Sequence, residues 1–95
     1  MPTYVTLCQF TESGAREVKS TVARAREAIA SVQKAGGKLT VYWTQGQYDL
    51  VCFAEGSEEL AMITSLAQAK SGAIRVETLR AFSIDEMDQL IKKVP

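Results

Sequence analysis

The chain has 95 residues, with 11 basic and 11 acidic side chains, two cysteines and no histidine. A length of this order supports one domain with one modest core, and the even charge balance provides no global field toward nucleic acid or an anionic membrane surface. Without histidine, zinc sites, histidine-ligated haem and Cys-His or Ser-His catalysis lack their usual parts, so no metal and no cofactor is expected.

No apolar run approaches the roughly 20 residues of a membrane span, and the opening MPTYVTLCQF lacks the basic region and long apolar core of a secretory signal. The expectation is a soluble cytoplasmic protein that engages neither nucleic acid nor membrane.

Tyr4 to Phe10 is rich in β-formers and is followed by Thr11, Glu12, Ser13 and Gly14, which predicts a strand and then a loop. Val18, Val22, Ala25, Ile29 and Val32 recur at helical spacing and predict a helix ending near Ala35, where Gly36-Gly37 supplies the left-handed stop. Its opposite face carries Arg16, Lys19, Arg24, Arg26 and Lys34, a pattern open to two readings: a solvated surface, or a patch for an anion or acidic partner.

Lys38 to Thr44 and Tyr48 to Glu55 read as strands joined by Gln45-Gly46-Gln47, a link short enough to require antiparallel pairing, with Gly46 free to take a positive φ. Ser57 then caps a helix opened by Glu58 and Glu59, with Leu60, Ile63, Leu66 and Ala67 as its apolar stripe and Ser71-Gly72 as its end. Ile74 to Phe82 makes a fourth strand. Ser83-Ile84-Asp85-Glu86 fits a capping box and opens a short terminal helix with Met87, Leu90, Ile91 and Val94 available for burial.

With no repeat or linker, residues 1–95 form one α+β domain: a ferredoxin-like βαββαβ fold with a four-stranded antiparallel sheet, two helices on one face and a short C-terminal helix. A sheet covered on one face should alternate apolar and polar residues, but these strands do not. Leu39, Val41 and Trp43 oppose Tyr42; Leu50, Cys52 and Ala54 oppose Val51 and Phe53; Tyr4, Cys8 and Phe10 oppose Val5 and Leu7. Both faces need cover, which a second copy of the chain related by a two-fold axis would provide, unless the terminal helix folds back over the open face.

Asp49 sits where the second hairpin strand begins, beside Tyr48. It can act structurally, accepting hydrogen bonds from backbone N–H groups or pairing with a cation, or it can be the polar anchor of a ligand pocket walled by Tyr42, Trp43 and Tyr48. Cys8 and Cys52 fall on strands that neighbour each other in this fold, as small buried apolar residues or as a redox pair. Met62 and Met87, at helical spacing, read as core filler.

The opening MPTYVTLCQFTESG, the hairpin YWTQGQYD and the run VETLRAFS resemble the GYD domain family, small bacterial and archaeal proteins named for a Gly-Tyr-Asp signature. The signature falls on Gly46, Tyr48 and Asp49, with Gln47 where the family more often has a basic residue. The resemblance implies a ferredoxin-like fold of the dimeric α/β-barrel kind and no established activity. TQGQYDLVCF followed by GAIRVETL is also similar to the effector-binding domains of leucine-responsive-type regulators, which implies ligand sensing or assembly, since their DNA-binding half has no counterpart here.

Three functions fit these features. The first is a homo-oligomeric small-molecule-binding or accessory module, with a cavity between sheets or subunits near Gly46–Asp49 and Tyr42, Trp43, Gly46, Tyr48, Asp49, Glu77 and Arg80 as ligand or interface residues. The second is a small enzyme of oxygenase or isomerase type, using Asp49, Glu77 or Tyr48 for proton transfer and Arg80 for an anionic substrate. The third is a structural assembly protein in which Tyr48 and Asp49 join subunits. No recognised catalytic set is present, and the first is the expectation carried forward.

Overall fold

In the computed structural model, which describes residues 1–95, the first apolar run forms strand β1 (Thr3–Phe10). The segment expected to be a loop instead winds into a short helix α1 (Glu12–Arg16), capped by the Thr11 hydroxyl, which accepts from the Gly14 N–H at 3.1 Å. A 3₁₀ turn at Val18–Ser20 leads into α2 (Thr21–Lys34), so the periodic segment from Val18 onward is divided in two. Gly14 is required by space. A Cβ there would run into the Ala73 carbonyl, which also accepts a hydrogen bond from the Thr11 N–H at 3.1 Å.

Strands β2 (Lys38–Trp43) and β3 (Leu50–Glu55) form the hairpin, followed by α3 (Glu58–Ser71), β4 (Ile74–Ala81) and α4 (Ile84–Ile91). All pairings are antiparallel and the strand order is β2-β3-β1-β4, the ferredoxin-like arrangement expected from the sequence. Ser57 caps α3, Gly72 closes it in the left-handed region at φ 69°, and Ser83 and Glu86 make both halves of the capping box of α4. No helix is long and apolar enough to cross a membrane.

The hairpin link is longer than its spacing suggests. β3 begins at Leu50 rather than Tyr48, leaving Thr44 to Asp49 outside the ladder. Side-chain and loop bonds replace strand pairing there: the Thr44 N–H donates to the Asp49 carbonyl at 2.9 Å and the Thr44 hydroxyl to the Tyr48 carbonyl at 2.7 Å. Gly46 sits at the tip with φ 113°, a conformation that costs a residue bearing a Cβ.

Helix α2 packs on β2 and α3 on β4, the two outer strands, so the central pair β3 and β1 lies beneath the space between the helices. Most inward helix positions are small or polar, namely Ala25 and Ala28 from α2 and Ala61, Thr64, Ser65 and Gln68 from α3, with Val32 and Leu60 as the larger apolar exceptions. This corrects the expected stripe on α3, because Ile63 and Leu66 face solvent, as does Met62, expected in the core. Seven residues are buried, with Cys8, Leu50 and Cys52 at the centre.

On the opposite face of the sheet Tyr42, Phe53 and Leu79 are exposed. Helix α4 does not fold back over them, and its own Ile84, Met87, Leu90 and Ile91 are exposed too. The result is an elongated subunit with a radius of gyration of 14.7 Å, against roughly 12 Å for a spherical domain of this length. Its surface is 6948 Å², where a folded monomer of 10.4 kDa exposes about 5,400 Å².

Candidate functional site

The corner where the hairpin meets β1 is built around Asp49. Its backbone N–H donates to the Cys8 carbonyl at 2.8 Å, and its carboxylate accepts from the Phe10 N–H at 2.8 Å. The β1–β3 ladder stops at the Cys8–Leu50 pair, so the carboxylate supplies the acceptor that a longer β3 would have given. The Gln9 side-chain amide donates to the Gln47 carbonyl at 2.7 Å and ties the loop to the same strand.

The other expected site residues do not converge on this corner. Tyr42 and Trp43 are successive residues of one strand and so face opposite sides of the sheet. Tyr42 meets Phe53 edge-on with ring centroids 6.0 Å apart on the open face, while the Trp43 indole N–H donates to the Thr21 hydroxyl at 3.1 Å on the helix side. Glu77 lies opposite Leu7 on the open face.

Arg80 faces the helix side, opposite Tyr4. Its guanidinium stacks over Phe82 at 4.4 Å and near Tyr4 at 5.8 Å, and pairs with Glu86 at 3.1 Å. The Ser83 N–H and then the Arg80 guanidinium, both bonded to the Glu86 carboxylate, hold that carboxyl below its ordinary range. Arg80 thus anchors the first turn of α4 to the sheet edge.

The principal cavity lies on the helix side, with a volume of about 580 Å³ above β1 and β3. Leu39, Val41, Leu50, Cys52, Val76 and Cys8 supply much of its floor, and the small helix residues named above form its walls. Charged side chains enter the lining at Glu17, Arg24 and Glu27 on the α2 side and at Glu55. Periodicity alone did not find this space, because it records where apolar residues recur and not how large they are. The available signal was alanine at inward positions of α2 and α3 opposite central strands.

Two thiols sit on that floor. Cys8 stands opposite Leu50 and Cys52 opposite Thr6, so the cysteines are diagonal neighbours on adjacent strands and share one face. Both are free and buried. A hydrogen bond between them, reinforced by burial, pushes the Cys8 thiol up, and the same bond pulls Cys52 down against the opposing effect of burial. The two thiols thus shift each other's ionisation on the cavity floor.

A four-stranded antiparallel sheet in this order, with two helices on one face, defines a ferredoxin-like α+β domain. The GYD domain profile matches residues 4–91, and the chain belongs to that family. No curated protein matches it. Among solved structures it is similar to a de novo designed protein, Ferredog-Diesel, at 13% identity over 81% of this chain and 84% of that chain, with a TM-score of 0.49.

Proposed function

We propose that the protein is a homo-oligomeric binding module. Copies meet through the open sheet face and α4, and each subunit holds a small, uncharged and mainly apolar molecule above β1 and β3. The cavity carries the binding half of this reading: at about 580 Å³ it lies within the roughly 300–1,000 Å³ range of small-molecule sites. Its floor is apolar, with the Thr6 hydroxyl available to orient a ligand and the Thr78 hydroxyl paired with that of Ser65 at 3.3 Å. A ligand charge placed there would lose hydration without a partner on the floor, which favours a neutral molecule.

The hairpin corner braces one end of this space. Phe10 and Leu50, on either side of the Asp49 hydrogen bond, both contribute to the lining. Assembly is supported by the surplus surface of about 1,500 Å² over that of a typical monomer of this mass, which exceeds the roughly 800 Å² each partner buries in a standard interface.

A thermal-shift screen of uncharged metabolites tests the binding half. A ligand at a hundredfold excess over its dissociation constant should stabilise the protein by about 2.7 kcal/mol. Flat curves across the neutral set, with shifts produced by charged compounds alone, would overturn the assignment.

A further inference from the structure

We propose that Cys8 and Cys52 form a two-coordinate site for a soft monovalent cation of the copper(I) class, held between the two sulfurs on the cavity floor. This inference goes beyond the binding function above and does not require the cavity to hold an organic ligand.

The placement follows from the register. Cys8 pairs with Leu50 and Cys52 with Thr6, which puts the two side chains on the same face, two residues out of step on neighbouring strands. Both line the same cavity, so an incoming ion can reach them from the space between α2 and α3. Diagonal neighbours have Cα atoms roughly 7–8 Å apart, at or beyond the roughly 6.8 Å limit of ordinary disulfides. A bridging metal relaxes that limit: two metal–sulfur bonds of about 2.3 Å each span about 4.6 Å between sulfurs, where a disulfide demands about 2.05 Å.

The donor set selects the metal. Thiolate sulfur is a soft ligand and favours copper(I) among physiological ions, whereas structural zinc wants four ligands. Neither a histidine nor a cluster of three potential ligands is available to complete a zinc shell. Copper(I) accepts two. On binding, both S–H bonds break, two Cu–S bonds form and two protons leave, with no change of oxidation state. The bis-thiolate copper unit carries one negative charge in place of the two that bare thiolates would carry. Because two protons are released, affinity should rise about hundredfold per pH unit while both thiols remain protonated.

The test uses reduced full-length protein and copper(I) presented as its bicinchoninate complex under argon. The expected result is one copper per chain withdrawn from the chelator, X-ray absorption showing two sulfur neighbours, and loss of that copper in both Cys8→Ala and Cys52→Ala. Copper left with the chelator by the wild-type protein would overturn the proposal, as would unchanged uptake in the double variant or a shell of three or four ligands. Should the variants fail to fold, stoichiometry and absorption spectra of the wild-type protein still decide. A second arm exposes the metal-free protein to oxidised glutathione and counts thiols after denaturation. Two free thiols are expected, and ready formation of a Cys8–Cys52 disulfide would contradict the diagonal geometry on which the site rests.

Discussion

The Asp49 carboxylate accepts the Phe10 backbone N–H at 2.8 Å, so a loop residue completes the edge of β1 where β3 has not yet begun. Removing the carboxylate in Asp49→Ala leaves a part-buried donor without an acceptor, which should cost about 1–3 kcal/mol. Asp49→Asn retains an acceptor oxygen and should cost less, since it gives up only the charge-assisted component. Thermal melts check the order of the variants, and faster hydrogen exchange at the Phe10 amide in Asp49→Ala checks the cause. An Asp49→Ala protein as stable as wild type would remove the structural role.

Ala28 lies on the inward face of α2 and lines the cavity. Ala28→Leu should fill part of that space, raise stability by about 0.5–2 kcal/mol, and abolish any ligand-induced thermal shift. Lower stability would mean that the helix layer already sits in close contact with the sheet.

Much of the fold could be read from the sequence, and the exceptions have physical causes. Runs of β-formers bounded by turn residues placed the strands, and the Ser83-x-x-Glu86 spacing gave the capping box found at α4. Two things escaped. Helical spacing of Leu60, Ile63 and Leu66 pointed to an inward stripe, but α3 turns Ile63 and Leu66 outward and presents Ala61, Thr64 and Ser65 to the sheet. Gln45-Gly46-Gln47 was legible as a turn, with Tyr48 and Asp49 read as the start of the next strand, while the partner of Asp49 was not legible, because Phe10 lies 39 positions away and nothing local encodes that contact.

The two glycines with distinct tasks should respond differently to alanine. At Gly46, φ 113° is the only obstacle and open space surrounds the site, so Gly46→Ala should cost about 1 kcal/mol. At Gly14 an added methyl meets the backbone of Ala73, which cannot swing aside as a side chain could. Gly14→Ala should therefore be the more damaging of the pair in chemical denaturation, and equal midpoints would contradict the close approach of α1 to Ala73.

The Glu86 carboxyl is held below its ordinary range by the Ser83 N–H and Arg80. A depressed carboxyl stabilises the folded form at pH values above its unfolded value and loses that contribution as pH falls through the folded value. The anchoring of α4 should thus be intact at neutral pH and weaken on acidification below about pH 4.5, the ordinary value for this group. Hydrogen exchange at the Ser83 amide across that range should report the loss, and Glu86→Gln should flatten the response. A profile unchanged by Glu86→Gln would assign the acid sensitivity to other groups.

The central claim is that the open sheet face and α4 are covered by another copy of the chain, and the solution mass tests it most directly. Sedimentation equilibrium at micromolar concentration should give a multiple of the 10.4 kDa subunit, and replacing Phe53, 46% exposed on the open face, with aspartate should drive the mass toward that of one chain. A wild-type protein that sediments as a stable 10.4 kDa species throughout that range would contradict the claim.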